Sequence, residues 1–529
     1  MGTKNNSLTV DVLIVGSGPV GAAFARVLKD NVPDAKIMMV DVGPKLTNRA
    51  GKHIKNIADP AERQKAQIAS QGPNKFPYPV PTLQERADAA RSGHYDASIL
   101  ARPGTHLVAE NEAQLKISGM PAASFSSNVG GMGAHWTCAC PRPGNTERIS
   151  FIDENDWLES VSRAEKLLCV TNEVYNNTPE ADAIRSILGN IFDKDLPAGR
   201  KVQRMPLACK TDGDEKYWAG SDVILGDLAG PGSSENFELR SETICRQIIH
   251  HLDKAKGAWI EHLPTGRLEK ITAKVIIVAA DAIRTPQLLW ASGIRPDALG
   301  HYLNDQPQIM CAVELDEEII QKNPAFKLSE KQNEHRSKYQ DPTLGVFWVP
   351  FDDPAHPFHG QVMHMDLSPI QVEVSEKDIK PNNVIGLGWF CRKELRYEDY
   401  LEFDDNQSDY LGMPRITVHY ELTQRDKDEI GLAMKEQARA AAAFGKVVKE
   451  GEQFMIPAGS SLHYQGSVRM GKIDDGTSVC NPNSTVWGFD NLFVGGNGVI
   501  PTATACNPTL TSVALAVKAC DRIIDMLSN

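Results

Sequence analysis

The chain lacks long hydrophobic runs, basic clusters and a leader segment, and each absence narrows the possibilities. No stretch of eighteen uninterrupted apolar residues occurs in its 529 residues, so we expect no membrane-spanning helix. The net charge is −12 without a long basic run, which argues against nucleic acid or an anionic membrane as a partner. The polar N-terminus has neither the basic start nor the small-residue cleavage site of a signal peptide, which favours a cytoplasmic location.

Cysteine pairs with metal-binding spacing are also missing. The ten cysteines are scattered, and Cys169, Cys311 and Cys520 lie inside apolar segments, as reduced core thiols do. Cys138 and Cys140 are close in sequence, but no second cysteine or histidine pair stands near them. We therefore predict no metal site.

The length and composition are those of a large globular protein. With 529 residues, 41% of them apolar and 23% charged, the chain is too long for one ordinary core. Helical spacing marks residues 153–168 and 425–448, and residues 311–460 alternate apolar and polar side chains as an antiparallel sheet does. We expect residues 45–105 to form an arm or covering loop, and the acidic residues 397–409 to form a solvated loop.

A strand, a glycine turn and a helix open the chain. Residues 11–15 hold the continuous apolar, mostly β-branched run Val12-Leu13-Ile14-Val15, and the turn that follows reads Gly16-Ser17-Gly18-Pro19-Val20-Gly21. Its three glycines permit a tight turn, close approach to a pyrophosphate and close packing of the helix. A second strand ends at Asp41, where a carboxylate can hold ribose hydroxyls. An acid at this position argues against a 2′-phosphate, so the unit predicts NAD or FAD.

A histidine and an asparagine near the C-terminus are the candidate catalytic residues. His463 is followed 44 positions later by Asn507, and Pro508 then opens an apolar, helix-like tail. A neutral imidazole can accept a hydroxyl proton while hydride leaves the carbon, and an amide can orient the same hydroxyl. The positive end of the following helix would stabilise a reduced cofactor ring. The alternative is a core histidine and a helix-capping asparagine.

Three further segments resemble the glucose–methanol–choline (GMC) flavoenzyme family. They are the strand, turn and helix of residues 275–289, the strand 492–497, and the run from Pro501 to Pro508. Asp281 and Ile283 stand at positions that vary in the family. The resemblance spans most of the chain and implies an α/β fold. A Rossmann-type FAD-binding domain would be assembled from discontinuous segments, 1–145, 206–310 and 464–529. The substrate domain, 146–205 and 311–463, would hold a mainly antiparallel sheet flanked by helices.

The loop from Asn128 to Ala139 resembles the flavin loop of the pyranose oxidase and bacterial glycoside 3-oxidase-like branch of that family. The resemblance implies that His135 stands where those oxidases bond a histidine to the flavin 8α-methyl carbon, and that Thr137 meets flavin N5. Gly133 and Ala134 replace the small hydroxylated residues that the fungal enzymes carry, so covalent and noncovalent FAD both stay open. The implied cofactor-binding residues are Gly16, Gly18, Pro19, Val20, Gly21, Asp41, Gly130, Gly131, Gly133, His135, Trp136, Thr137, Cys138, Cys245, Gly496, Asn497, Pro508 and Thr509.

Residues Gln361, His364 and Asp366 resemble the strand that lines the sugar site in the same branch, with His364 and Asp366 on one face of the strand. A purely structural role is the alternative for this group. The resemblance implies oxidation of a secondary ring hydroxyl, at C2 or C3 of a pyranose or glycoside, to a ketone. His463 would be the base, and O2 or a quinone-like acceptor would reoxidise the flavin, O2 giving H2O2.

Two other functions compete with sugar oxidation. One is a flavin dehydrogenase of the same family that acts on a non-sugar alcohol. The other is a noncatalytic protein that binds a flavin or nucleotide through the same fold, and the His463–Asn507 pair argues against it. The oligomeric state is left open by the sequence.

Overall fold

The computed structural model describes residues 8–72, 88, 92, 100–175, 180–212, 215–231, 235–323, 343–365, 384–448 and 452–528. Within these ranges the chain forms two seven-stranded sheets with helices packed on them, and three smaller sheets. The strands are β1 Leu8–Val15, β2 Ile37–Val40, β3 His106–Leu107, β4 Ser124–Phe125, β5 Val170–Thr171, β6 Gln203–Arg204, β7 Leu207–Asp212, β8 Glu215–Trp218, β9 Phe237–Arg240, β10 Thr243–His251, β11 Lys254–His262, β12 Arg267–Val278, β13 Gln308–Leu315, β14 Thr343–Val349, β15 Phe358–Met365, β16 Val384–Cys391, β17 Tyr400–Ser408, β18 Pro414–His419, β19 Gly445–Val447, β20 Phe454–Met455 and β21 Leu492–Val494. The α-helices are α1 Pro19–Asn31, α2 Pro60–Ala69, α3 Glu112–Ile117, α4 Glu154–Leu168, α5 Ala181–Phe192, α6 Ser221–Leu225, α7 Asp281–Ala291, α8 Glu317–Lys322, α9 Gln424–Phe444 and α10 Thr509–Ser528.

The first sheet carries the N-terminal glycine turn. Its strand order is β10-β11-β12-β1-β2-β9, with β21 beside β12. Strand β1 runs parallel to both neighbours, so that Val12 lies beside Val275 on one side and Ile37 on the other. Residues 12–15 of β1 are buried, as the continuous apolar run predicts for a strand covered on both faces. Helices α1 and α10 pack against each other, which brings the N-terminal turn and the C-terminal helix to the same region.

The second sheet is antiparallel and has helices on one face. Its order is β19-β13-β16-β15-β14-β6, with β20 beside β13. Alternate residues of its strands, such as Val362 and Leu387, form one core with Ile184 of α5 and Phe444 of α9. The opposite residues of the same strands are free to face the other half of the molecule, and this face forms part of the candidate site.

One expectation for a loop was incomplete, and another was wrong. Within residues 45–105, residues 60–69 form helix α2. Its N-cap is Asp59, whose side chain accepts a hydrogen bond from Glu62 N, and Pro60 stands in its first turn. Within residues 397–409, strand β17 pairs with β18, because Leu401 and Phe403 alternate with polar residues and are buried. Both segments contain a local sequence pattern, an N-cap followed by proline in the first and apolar–polar alternation in the second. The many charged residues around each pattern made a loop the simpler prediction.

The α/β fold with a nucleotide-type sheet and a mainly antiparallel second sheet is confirmed. The described helices include none that is long and apolar enough to cross a membrane.

Candidate active site

The glycine turn between β1 and α1 is shaped by close backbone contacts. A Cβ atom at Gly16, whose φ is +101°, would lie 2.2 Å from the carbonyl oxygen of Ala279, and one at Gly21 would lie 2.0 Å from that of Gly16. At Gly18 a Cβ atom would approach no described atom more closely than Gly130 O, at 3.9 Å. Gly16 and Gly21 are therefore packing positions, whereas Gly18 leaves open space at the N-terminus of α1. That arrangement fits a bound pyrophosphate.

Asp41 lies beside this turn and is buried. Its carboxylate accepts hydrogen bonds from Ser17 N at 3.0 Å, Ser17 Oγ at 2.5 Å and Gly43 N at 2.9 Å. Burial raises the pKa of Asp41, and these three donors oppose that effect. Ser17 Oγ also accepts from Gly130 N at 2.8 Å, so Ser17 joins Asp41 to the loop of residues 128–139. Ser17 was missed as a site residue, although it stands inside the glycine turn.

The loop of residues 128–139 lies on the glycine turn. A Cβ atom at Gly131 would be 3.5 Å from Cα of Gly18, and one at Gly133 would be 2.8 Å from a ring carbon of Pro19. We call residues 16–21 and 130–133 together the cofactor cradle. Beyond it, the indole N–H of Trp136 donates to Ala219 O at 2.8 Å. Thr137 is exposed and Cys138 is buried.

His135 follows directly after the cradle. Its Nε2 lies 3.0 Å from Ser70 Oγ, and that hydroxyl donates to Ala66 O at 2.9 Å. Because the Ser70 hydrogen is already used, Ser70 accepts and Nε2 of His135 carries the ring proton. The other nitrogen, Nδ1, lies against Gly104, where a Cβ atom would approach it to 2.5 Å. Burial lowers the pKa of His135 to about 4, so the ring is neutral.

The remaining predicted cofactor residues lie in the same half of the molecule. Gly496 has φ of +104°, and the Asn497 side chain accepts from Ser512 Oγ of α10 at 2.5 Å. Pro508 and Thr509 lead into that helix. Cys245 is buried in β10, where burial raises the pKa of its thiol to about 12. The cradle and the residues that lead into α10 therefore lie on the first sheet and the helices packed against it.

His463 and Asn507 are adjacent in space. Asn507 Nδ2 lies 3.3 Å from His463 Nε2, and His463 Nδ1 lies 2.7 Å from Gln306 Oε1. The amide nitrogen of Gln306 donates to Cys506 O at 2.7 Å and to Thr504 Oγ1 at 3.1 Å. Because a backbone carbonyl only accepts, Gln306 must present its oxygen to His463. Nδ1 of His463 is therefore protonated, and Nε2 carries the lone pair.

Buried carboxylates hold the backbone around this pair. Asp305 accepts from His463 N at 3.3 Å, from Gly459 N at 3.0 Å and from the Ser461 hydroxyl. Glu147 accepts from the two peptide N–H groups that precede Asn507, those of residues 505 and 506, at 2.7 and 3.0 Å. Neither acid was predicted, nor was Gln306, because each lies far in sequence from the histidine and asparagine that it supports.

The electrostatics of the pair favour a neutral histidine. Burial, together with the positive charge of Arg102, lowers the pKa of His463 to about 3. Burial raises the pKa of Asp305 to about 6. A neutral His463 whose Nε2 is unprotonated is the form that can accept a proton.

The second sheet contributes the wall opposite the pair. Phe390 stacks on His463, with ring centroids 5.4 Å apart and planes at 25°. Within the sheet Gln361 lies beside Gly388, and His359 lies beside Phe390. Side chains of directly paired residues share a face, so His359 and Gln361 lie on the face turned to His463.

The expectation that His364 lines the same site was wrong in its geometry. Gln361 and His364 are separated by an odd number of positions, so they point to opposite faces of β15. His364 is fully buried on the helix side, with Nδ1 3.9 Å from a carboxylate oxygen of Glu180. Asp366 lies outside the described residues. The parity of the spacing would have separated Gln361 from His364, and it also points to His359, two residues before Gln361.

The site fits an FAD-type cofactor by its own chemistry. The cradle leaves open space at Gly18, and no side chain caps the N-terminus of α1 there, so its N–H groups are available to a pyrophosphate. In the same ranges no group of three His, Cys, Asp or Glu side chains is arranged to hold a metal ion.

The fold and this site define an oxidoreductase with a dinucleotide cofactor and a histidine–asparagine pair. The chain belongs to the GMC oxidoreductase family, since the N-terminal model of that family matches residues 145–308 and the C-terminal model matches residues 400–516. GMC oxidoreductases are flavoproteins, and this chain is one of them. The family resemblance seen in the sequence and the prediction of an enzyme that acts on CH–OH groups are confirmed at this level.

Relatives match along the whole chain. A C-glycoside 3-oxidase of Microbacterium trichothecenolyticum is 45% identical over 100% of this chain and 99% of its own length. Another, of Arthrobacter globiformis, is 44% identical over 98% and 96%. A pyranose 2-oxidase of Tricholoma matsutake is 31% identical over 98% and 94%. The crystal structure of pyridoxine 4-oxidase from Mesorbium loti covers 97% of this chain and 98% of its own at a TM-score of 0.59 and 15% identity, which supports the fold alone.

Proposed function

We propose that this protein uses FAD to oxidise a secondary ring hydroxyl of a pyranose or glycoside to the keto-sugar. The His463–Asn507 pair carries this proposal, because the unprotonated Nε2 of a neutral imidazole lies 3.3 Å from the amide nitrogen of Asn507. The relatives that match over nearly their full lengths are named as sugar or glycoside oxidases.

The residues of this chain divide the work at the hydroxyl between them. His463 accepts the hydroxyl proton at Nε2, and its Nδ1–H is held by Gln306, which keeps the ring in the tautomer that can do so. The amide N–H of Asn507 orients the same oxygen and stabilises the charge that develops on it. The cradle and Asp41 would hold FAD, which would supply hydride acceptance. O2, giving H2O2, is the proposed final acceptor, with a quinone as the alternative.

The wall of the second sheet suits a polyhydroxylated ring. The side-chain amide of Gln308 lies beside Gly388, where a Cβ atom would meet Gln308 Nε2 at 3.4 Å. Gln361 pairs with Gly388 in the sheet and places its own buried amide on the same face. Buried amides that bind ring hydroxyls would be left unpaired by a simple alcohol, at a cost of about 1–3 kcal/mol each. We therefore favour a sugar over choline or an aryl alcohol. The higher identity to the C-glycoside 3-oxidases than to the pyranose 2-oxidase favours C3 of a glycoside.

We also propose that FAD is held without a covalent bond to His135. The proton on Nε2 is engaged by Ser70 Oγ, and Nδ1 faces the backbone of Gly104, so neither nitrogen is placed to attack a flavin methyl group. Acid precipitation should leave a colourless pellet and a yellow supernatant. A yellow pellet that becomes colourless in His135→Ala would instead demonstrate the bond.

The proposed domain division follows the two large sheets. Segments 1–145, 206–310 and 464–529 would form the FAD domain, and segments 146–205 and 311–463 the substrate domain. Strands β6 and β14 to β16 of the second sheet fall within the latter segments, and β13 crosses the boundary at residue 310.

An anaerobic panel tests the function. The purified protein is mixed without oxygen with glucose, an O-glucoside, a C-glucoside, choline and benzyl alcohol, and the visible flavin band is followed. Bleaching by a sugar or glucoside, with choline and benzyl alcohol inactive, is the expected result. If choline or benzyl alcohol is the better reductant, sugar oxidation is wrong and only the family assignment stands.

A further inference from the structure

A second histidine faces the His463–Asn507 pair from the wall of the substrate side. His359 lies in β15 and is fully buried. The indole N–H of Trp348 donates to its Nδ1 at 3.0 Å. Because an indole nitrogen only donates, Nδ1 of His359 must carry a lone pair, and the proton of the neutral ring is on Nε2. Burial holds the pKa of His359 well below its usual value, so the ring stays neutral.

The protonated nitrogen of His359 and the carbonyl of Asn507 match each other. Nε2 of His359 and Oδ1 of Asn507 are both buried, and neither has a hydrogen-bond partner among the described residues. The Asn507 side chain is near enough to interact electrostatically with the His359 ring, although the geometry falls short of a formed hydrogen bond. Phe390 packs against both imidazoles, with centroids 5.4 Å from His359 and 5.4 Å from His463. Both histidines therefore lie beside the same aromatic ring.

We propose that His359 is a positioning residue whose Nε2–H holds Oδ1 of Asn507, so that Asn507 turns its NH2 group toward His463 and the substrate oxygen. This role rests on the proposed function. His359 itself does not touch the reacting atoms; it acts through the orientation of the Asn507 amide.

With this hydrogen bond formed, five side chains are joined in one chain of hydrogen bonds in which every donor points in the same direction. It runs from the Trp348 N–H through His359, Asn507, His463 and Gln306 to the carbonyl of residue 506. One end can only donate and the other can only accept, so the polarity of every link between them is fixed. Nε2 of His463 is left as the acceptor and Asn507 as the donor. If Asn507 flipped, its carbonyl would face the lone pair of Nε2, a contact that is favourable only when Nε2 is protonated and unable to act as a base.

Substitution of His359 by Phe and by Gln separates donor loss from packing loss. His359→Phe keeps a flat ring but removes Nε2–H, whereas His359→Gln restores an N–H donor at about the same distance from the backbone. His356→Phe is the matched control, because His356 is also a buried histidine with its pKa lowered to about 4, but it bonds Pro350 O at 3.3 Å and lies outside the pair. Each holoenzyme is checked for its FAD content before any rate is measured.

Two readouts follow. His359→Phe should reduce the anaerobic flavin-reduction rate at saturating glucoside by about tenfold or more, and should move the acidic midpoint of that rate upward by about one pH unit, since a flipped Asn507 favours protonated His463. His359→Gln should recover most of the rate and of the midpoint, and the control should resemble the wild type. The second readout needs no substrate: 15N NMR of histidine-labelled holoenzyme should show His359 protonated on Nε2 and His463 protonated on Nδ1.

Each failure has its own signature. A His359 protonated on Nδ1, or a His359→Phe variant with an unchanged rate and midpoint, overturns the positioning role. A slow His359→Phe that Gln does not rescue, with the midpoint unmoved, means that His359 is merely structural. If no sugar bleaches the wild type, the proposed function fails, and the NMR result still decides the orientation of the pair.

Discussion

The cofactor cradle is shaped mainly by backbone contacts, whereas the His463–Asn507 pair is held mainly by side-chain hydrogen bonds. In the cradle the decisive contacts are made by backbone, as at Gly16, where a Cβ atom would lie 2.2 Å from a carbonyl oxygen. Around the pair they are made by side chains that bond each other and the backbone, as at Gln306, whose amide joins His463 to the peptide before Asn507. The cradle should therefore be sensitive to added volume, and the pair to exchange of a donor for an acceptor.

The largest effect is expected at the pair itself. His463→Ala removes the proton acceptor and should slow anaerobic flavin reduction by sugar by about 10²–10⁴-fold, the usual contribution of a general base. FAD should stay bound, since the cradle is untouched, and the absorbance spectrum of the purified variant checks this. Asn507→Ala should cost less. Wild-type reduction rates in His463→Ala would mean that another group accepts the proton.

The next effect tests the tautomer lock. Gln306→Leu leaves Nδ1 of His463 without its acceptor and frees the ring to change tautomer, so flavin reduction should slow by about tenfold or more. Gln437→Leu is the matched control, because the Gln437 amide is equally buried but donates to Ile309 O and Leu387 O within the second sheet. That variant should lose thermal stability and keep the wild-type rate. If flavin reduction slowed equally in both variants, Gln306 would have no specific role in fixing the tautomer of His463.

Volume should matter in the cradle. Gly18→Ala is accommodated by the fold, since its Cβ atom would be 3.9 Å from Gly130 O, but it enters the pyrophosphate space and should lower FAD occupancy several-fold. Gly21→Ala would place a Cβ atom 2.0 Å from Gly16 O and should also lower the unfolding temperature. The ratio of flavin to protein and a thermal melt distinguish the two. Full FAD occupancy in both variants would contradict the pyrophosphate assignment.

The smallest effect is expected at the substrate wall. Gly388→Ala adds a methyl group at ordinary contact distance from Gln308 and Met310, so the fold should tolerate it while the sugar site narrows. We expect a rise in KM for the glucoside with unchanged FAD content. Gly431→Ala in α9 is the control: its Cβ would meet no described atom within 4 Å, and it should stabilise the protein by about 0.5–1 kcal/mol without changing KM. An unchanged KM in Gly388→Ala would place the sugar elsewhere.

The sequence predicts the cradle better than it predicts the pair's surroundings. The turn of residues 16–21 is contiguous, and its glycines, strand and acid are read from one short stretch. His463 and Asn507 were also singled out from the sequence, and the structure places them side by side. Their catalytic role stays a prediction. Glu147, Asp305 and Gln306 were missed, since their roles depend on contacts between segments more than 100 positions apart, which no local pattern encodes.

His364 illustrates the other limit. Its histidine chemistry suits a sugar site, but strand alternation turns it toward the helices and Glu180, while Gln361 faces His463. The type of a residue therefore does not show which face of a strand its side chain occupies. An odd or even separation from a neighbouring strand residue does.

The measurement that tests the account most directly follows which C–H bond breaks. A glucoside deuterated at C3 and the same glucoside deuterated at C2 are each mixed with the enzyme without oxygen, and the rate of flavin bleaching is compared with that of the unlabelled sugar. We predict that deuterium at C3 slows bleaching clearly and deuterium at C2 does not. Slowing by C2 deuterium alone would move the oxidised position to C2. Bleaching that neither label slows, or no bleaching by any of the three sugars, would contradict hydride removal from a sugar ring carbon beside His463.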